Sequence, residues 1–188
     1  MTAMTLRSGT HPLAATSGSL LLRTGRAGLG AKVGHDLVIE VTRWRGSAVL
    51  DVDNPSASSV TLEAQVASLE VRRGDGGLKP LTDSDKAEIQ QTIRTRILQS
   101  EKYPTITFTS TKVDGGPDGF CVVGDLTICG VTRAVVLDGA IGPDGKALGT
   151  TTITQSQFGI KPFSAMLGAL KVADDIGVRF EVPLDRAS

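Results

Sequence analysis

Aromatic residues are scarce in this chain, which has one tryptophan, one tyrosine and five phenylalanines among 188 residues. A core built without them rests on Val, Leu, Ile and Ala, a set whose smaller volumes leave room for interior space. Charge of one sign is lacking too, since 20 basic residues face 20 acidic ones. That balance provides no basic field to gather nucleic acid or an anionic membrane. No apolar run approaches the ~20 residues of a membrane-spanning helix, so no integral membrane segment of that kind is expected. Met1 to Gly18 hold one arginine and an interrupted apolar stretch at Leu13-Ala14-Ala15. This is too short for a signal-peptide core, and the expected compartment is the cytoplasm.

Two histidines and two cysteines leave little catalytic material. His35-Asp36 is a fragment of the motif of metal-dependent phosphohydrolases, but such sites need further histidines, and only His11 remains. Cys121 and Cys129 share parity eight residues apart, about 27 Å along one strand at ~3.3 Å per residue. That distance excludes a disulfide between them, and with it a tetrahedral metal site shared with the histidines. Two reduced thiols suit an intracellular protein. No Gly-x-Ser-x-Gly elbow is present and no cysteine has a histidine nearby, so nucleophilic catalysis has no visible machinery. Asp51-x-Asp53-Asn54 lacks the closing acidic residue of a calcium loop and reads as an Asx-capped turn. Gly28-Leu29-Gly30 with Gly34 is followed by the strand-like Leu37-Val38-Ile39-Glu40-Val41, where a dinucleotide loop needs a helix.

What is abundant is alternation. Ile106 and Phe108 share one parity against Thr105, Thr107, Thr109 and Thr111, and Phe120, Val122, Leu126 and Ile128 share a face of the next long strand. Strands are predicted over 19–24, 37–45, 47–52, 60–71, 105–113, 120–129, 134–141, 148–155 and 176–184. These nine fit an antiparallel barrel of about eight strands with one strand split. The parity of Val60, Leu62, Ala64 and Val66 shifts at Leu69 and Val71, which predicts a bulge near Ala67-Ser68. The two Gly-Pro-Asp-Gly pieces at 116–119 and 142–145 are hairpin turns by composition.

One amphipathic helix is predicted from Asp83 to Gln99, opened by Thr82 with Asp85 three residues on as a variant capping box. Its Ile89, Ile93 and Ile97 form a stripe that packs it outside the barrel by one seam. Between Phe158 and Asp175, the spacing of Phe163, Met166, Leu167 and Leu170 suggests a short helix or loop over one barrel end. Residues 1–17 lack periodicity and are expected to form a loose arm, with a single domain over 18–188.

Tyr103-Pro104-x-Ile106-x-Phe108, then Gly124-Asp125-Leu126-Thr127-Ile128-x-Gly130-Val131-Thr132-Arg133, then Gln157-Phe158-Gly159-Ile160 closely resemble the YceI-like family. His35-Asp36 upstream and Val178-x-Phe180-x-Val182 downstream extend the resemblance to roughly residues 18–184. It implies a lipocalin-like barrel, with no cofactor, whose cavity takes a hydrophobic small molecule, an isoprenoid or similar long apolar chain. The expected function is therefore binding, sequestration or transport by burial, without bond chemistry. A homodimer is compatible with it.

The inward residues Phe108, Leu126, Ile128 and Phe180 are expected to line the cavity. His35 falls on the family's histidine before its first long strand, and is either bonded to backbone or a polar anchor for a head group. Arg133 is either a hairpin charge in water or a head-group contact. Phe158, Phe163, Met166, Leu167 and Leu170 are either plain core or lining at the barrel mouth, the latter resting on the resemblance. An enzyme acting on an apolar substrate and a ligand-free protein-binding scaffold are the other classes considered. An unusual titration of His35 would mark the first, and a filled core the second.

Overall fold

Alternating sequence builds most of this protein. In the computed structural model, which describes residues 6–184, seven strands precede the helix: β1 (Gly9–Ala14), β2 (Ser19–Arg23), β3 (Arg26–Ala27), β4 (His35–Val41), β5 (Trp44–Leu50), β6 (Ser59–Gln65) and β7 (Leu69–Gly76). Helix α1 (Asp83–Thr92) follows. Then come β8 (Thr105–Gly116), β9 (Gly119–Ile128), β10 (Val131–Ile141), β11 (Lys146–Thr154), β12 (Ser164–Ala165), β13 (Leu170–Val172) and β14 (Asp175–Pro183).

Eleven of these strands form one antiparallel sheet in the order β1-β5-β6-β8-β9-β10-β11-β14-β2-β4-β7. The two ends of that path are joined through the chain. β4 runs into β5 across Thr42-Arg43, and β6 into β7 across a 3₁₀ turn at Val66–Ser68. The sheet therefore curls until it overlaps itself, and its eleven strands group into eight antiparallel runs, three of them bent. The expected bulge at Ala67-Ser68 is this turn. Buried Ser68 fixes it, its Oγ donating to the Gln65 carbonyl at 2.7 Å and accepting from the Arg43 amide at 3.0 Å.

Three expectations need correction. Gly9–Ala14, assigned to a loose arm, is a strand that pairs with β5 from Gly9↔Leu50 to Ala14↔Arg45. Its inward residues are Leu13 and His11, the latter 1% exposed with Nε2 donating to the Arg7 carbonyl at 2.7 Å. Residues 1–5 of that arm lie outside the described residues. The segment after Phe158 contains no helix beyond single 3₁₀ turns. It forms a small sheet, β12-β13-β3, because Gly159, Pro162 and Gly168 break any helical run. The predicted helix is α-helical only to Thr92 and ends in a π-turn over Ile93–Ile97, with the Leu98 amide donating to the Ile93 carbonyl.

The capping box forms as read. The Asp85 amide donates to Thr82 Oγ1 at 3.1 Å, and the Thr82 amide to Asp85 Oδ2 at 2.8 Å. The Thr82 amide, and with it the Thr82 hydroxyl, which also donates to Oδ2 at 2.8 Å, holds the Asp85 carboxyl below its ordinary value. Rather than resting outside a closed wall, α1 lies along the free edge of β7, beyond the point where β8 begins. Gln90 Oε1 accepts from the Val71 amide at 3.0 Å, and Arg94 donates to the Leu69 carbonyl at 2.7 and 3.1 Å. The unpaired edge thus finds its hydrogen bonds in helix side chains.

Candidate functional site

The inward faces of these strands do not meet. They enclose a cavity of about 850 Å³ running the length of the barrel. Leu37, Ile39 and Val41 from β4, Val122 and Leu126 from β9, and Val178 and Phe180 from β14 supply wall, and Ile89, Ile93 and Ile97 supply the part that α1 closes.

The space survives because of how the few aromatics lie. A Cβ at Gly124 would overlap the ring of Phe108, one at Gly139 the ring of Phe120, and one at Gly149 the ring of Phe180. Gly139 and Phe120 are direct cross-strand partners, as are Gly149 and Phe180. Each ring therefore lies flat over a glycine of the neighbouring strand and becomes wall, where a side chain at the glycine would push it inward. Trp44, at the bend between β4 and β5, is also buried in the lining. Its indole N–H is the one buried side-chain polar atom found without a partner among the described residues.

Most of the polar lining stands at the two ends. At one, Thr24, Arg26, His35, Gln155 and Lys171 surround the cavity; at the other stand Asp51 and Ser58; Glu88 and Thr92 of α1 and Thr151 of β11 complete the polar lining. Arg26 is held by Asp36 through two bonds, at 3.0 and 3.3 Å, and by the Gly34 carbonyl at 3.1 Å. His35 shares the inward parity of Leu37, and its Nε2 donates to the Lys79 carbonyl at 2.7 Å. The expected backbone bond is therefore present, it requires the proton on Nε2, and the ring also lies against the cavity.

Seven of the residues expected to meet ligand line the cavity: His35, Phe108, Leu126, Ile128, Phe163, Leu170 and Phe180. Four do not. Phe158 is 1% exposed and packs into the wall with Ile128 and Ile160, behind the lining. Arg133 shares parity with Val135 and Leu137, but at the strand end its guanidinium turns back to the Thr132 carbonyl at 2.8 Å. Met166 and Leu167 project from the loop between β12 and β13 into solvent. Lining that sequence reasoning missed comprises Trp44, Leu20, Leu22 and the helix isoleucines. The inward glycines among Phe-bearing strands were a legible signal for the ring-over-glycine pairs.

Among the described residues no group of three or more His, Cys, Asp or Glu could hold a metal ion. Both cysteines are free, and Cys129 sits in the β9–β10 turn with Gly130, both at positive φ as a two-residue hairpin requires. Burial pushes both thiols above their ordinary value, with Asp138 adding to it at Cys121, which opposes thiolate formation.

Residues 23–184 match the family model described as the YceI-like domain. The chain belongs to the YceI-like family. A UPF0312 protein of Photorhabdus laumondii is 33% identical over 102 residues, 54% of this chain and 46% of that protein. One of Pseudomonas savastanoi is 30% identical over 128 residues, 63% of this chain and 60% of that protein. The match thus spans about half the length of these relatives. Among solved structures, Burkholderia cenocepacia BcnA superposes with a TM-score of 0.66 at 16% identity, over 93% of this chain and 98% of its own. A polyisoprenoid binding domain from Saccharophagus degradans does so with a TM-score of 0.58 at 11% identity, over 94% and 97%. At these identities the likeness is one of fold, and this YceI-like barrel shares it nearly end to end.

Proposed function

We propose that this protein binds one long apolar molecule, a polyisoprenoid or similar lipid tail, inside its barrel and sequesters or carries it. The observation that carries the reading is the cavity of about 850 Å³ with an almost wholly aliphatic and aromatic wall. That volume falls within the ~300–1,000 Å³ of pockets that enclose small molecules. The fold shared with a domain described as polyisoprenoid-binding supports the same class of ligand. His35 Nδ1 and the polar groups around it offer a place for a head group, while Phe108, Leu126, Ile128 and Phe180 receive the tail.

Burial supplies the affinity. At ~0.8 kcal/mol per buried carbon, about three five-carbon isoprene units give roughly 12 kcal/mol gross. Association costs of ~4–15 kcal/mol cancel much of this, so shorter tails bind poorly. Protein purified without detergent is expected to release such a lipid into organic solvent, read by mass spectrometry. Delipidated protein titrated with a series of tails should bind more tightly as length grows, up to a plateau when the cavity is full. Leu126→Lys, in the wall, should abolish the gain if the barrel still folds. Affinity independent of length, or no binding by an intact barrel, would favour the scaffold instead. A changed mass in the recovered compound would favour an enzyme.

A further inference from the structure

The formal charge balance conceals a polarity along the barrel axis. At the mouth beside His35, segments 24–34, 77–81 and 155–173 carry Arg26, Lys32, Lys79, Lys161 and Lys171, and the carboxylates beside them are Asp36 on Arg26, Asp85 near His35 and Asp174 on Ser156. Arg26 is held by Asp36, but none of the four lysines is in an ion pair with a described residue. Asp174 and Asp175, next along the chain, accept from Ser156 and Thr154. At the opposite mouth, segments 51–58, 114–119 and 142–145 carry Asp51, Asp53, Asp114, Asp118 and Asp144, flanked by Arg7, Lys112 and Lys146. Lys112 Nζ lies 2.7 Å from Asp114, and the Asp144 carboxylate acts on the neighbouring Lys146 ammonium.

The basic mouth also displays apolar tips. Leu29 and Leu167 are fully exposed, Leu78 is 77% and Met166 67% exposed. Each loop sets a lysine within four residues of its tip: Leu29 with Lys32, Leu78 with Lys79, Leu167 with Lys171. The display is held in place. The Gly30 amide donates to the Ala169 carbonyl at 2.7 Å, and β13 ties to both β12 and β3. Met166 and Leu167 are kept at φ 53° and 56°, a left-handed conformation that costs side chains such as these free energy. Water gives nothing in return for apolar residues held out this way, whereas a hydrocarbon boundary does. Val33 and Lys171 are both exposed and part of the cavity lining, so the cavity reaches the surface between the tips.

We propose that this mouth docks on the surface of an anionic lipid bilayer. The apolar tips enter the acyl boundary, the lysines meet headgroup phosphates, and the acidic mouth faces away. Docked so, the cavity opens directly onto the lipid. That this transfers its own ligand rests on the carrier reading; the docking does not.

The test is flotation of the full chain with vesicles of phosphatidylcholine alone, or of phosphatidylcholine mixed with phosphatidylglycerol. Binding is expected to be about tenfold or more stronger on the mixed vesicles, and to fall at high salt. Leu29→Glu with Leu78→Glu should reduce it about tenfold or more, while melting temperature and tail binding in solution stay unchanged, since both side chains are exposed. Lys32→Glu with Lys171→Glu should weaken it on the mixed vesicles alone. Wild-type protein that stays unbound on the mixed vesicles, or a Leu29→Glu/Leu78→Glu variant that binds as well as wild type, overturns the proposal. So does a variant altered only in oligomeric state, which would assign the tips to a second copy of this chain. Loss of tail binding with intact vesicle binding would instead count against the carrier reading alone.

Discussion

Gly149 has no side chain, and the Phe180 ring occupies the place where its Cβ would stand. Adding that one carbon forces the ring to rotate off the wall, and the free direction is into the cavity. Gly149→Ala should therefore fold with a modest loss, about 1–3 kcal/mol as expected for overpacking. Its plateau in a tail-length titration should arrive at a shorter tail than in the wild type. An unchanged plateau would mean that the ring escapes sideways and that the glycines do not set the cavity's size. Phe180 itself was readable from its parity, as were Phe108, Leu126 and Ile128. Arg133 shared the same legibility and failed for a local reason, since parity says which way a side chain starts and a long one at a strand end can turn back. Met166 and Leu167 failed because helical spacing was read into a segment whose glycines and proline forbid a helix.

At the scale of elements, α1 is an edge protector as much as a packing unit. Gln90 and Arg94 make hydrogen bonds that a neighbouring strand would otherwise make with β7. Gln90→Ala leaves the amide of buried Val71 without its acceptor, for an expected cost of about 1–3 kcal/mol. Denaturant unfolding measures this, and faster exchange of the Val71 amide hydrogen should accompany it. A variant that matches wild type in both would place the helix's contribution wholly in its isoleucines. The helix start, its cap and its apolar stripe were legible because they are local. Its location was not, since nothing in 83–97 says that β8 begins too late to cover β7. β1 escaped for a similar reason: its six residues carry Thr, His and Pro, and only pairing with β5 makes them a strand.

For the whole molecule, nine alternating stretches led to a barrel of about eight runs, and that number reflects the closure of the sheet through its bent strands. The cavity could be inferred only as a shortage of bulky residues, because whether side chains meet across a barrel depends on its diameter, which no local pattern encodes. The gathering of lysines in the loops of one mouth and of aspartates in those of the other was invisible for the same reason. A total of zero says nothing about which loops end up together.

Trp44 is the chain's one tryptophan, and it stands in the cavity wall. The protein consequently carries its own optical gauge of occupancy. The indole is shielded from water, so its emission should be blue-shifted in the folded barrel, and no second indole contributes background. A brominated tail entering the cavity should quench that emission in proportion to filling, giving affinity and exchange rate without a label. Quenching absent under conditions where mass spectrometry finds the tail bound would mean that the tail stops short of the bend between β4 and β5.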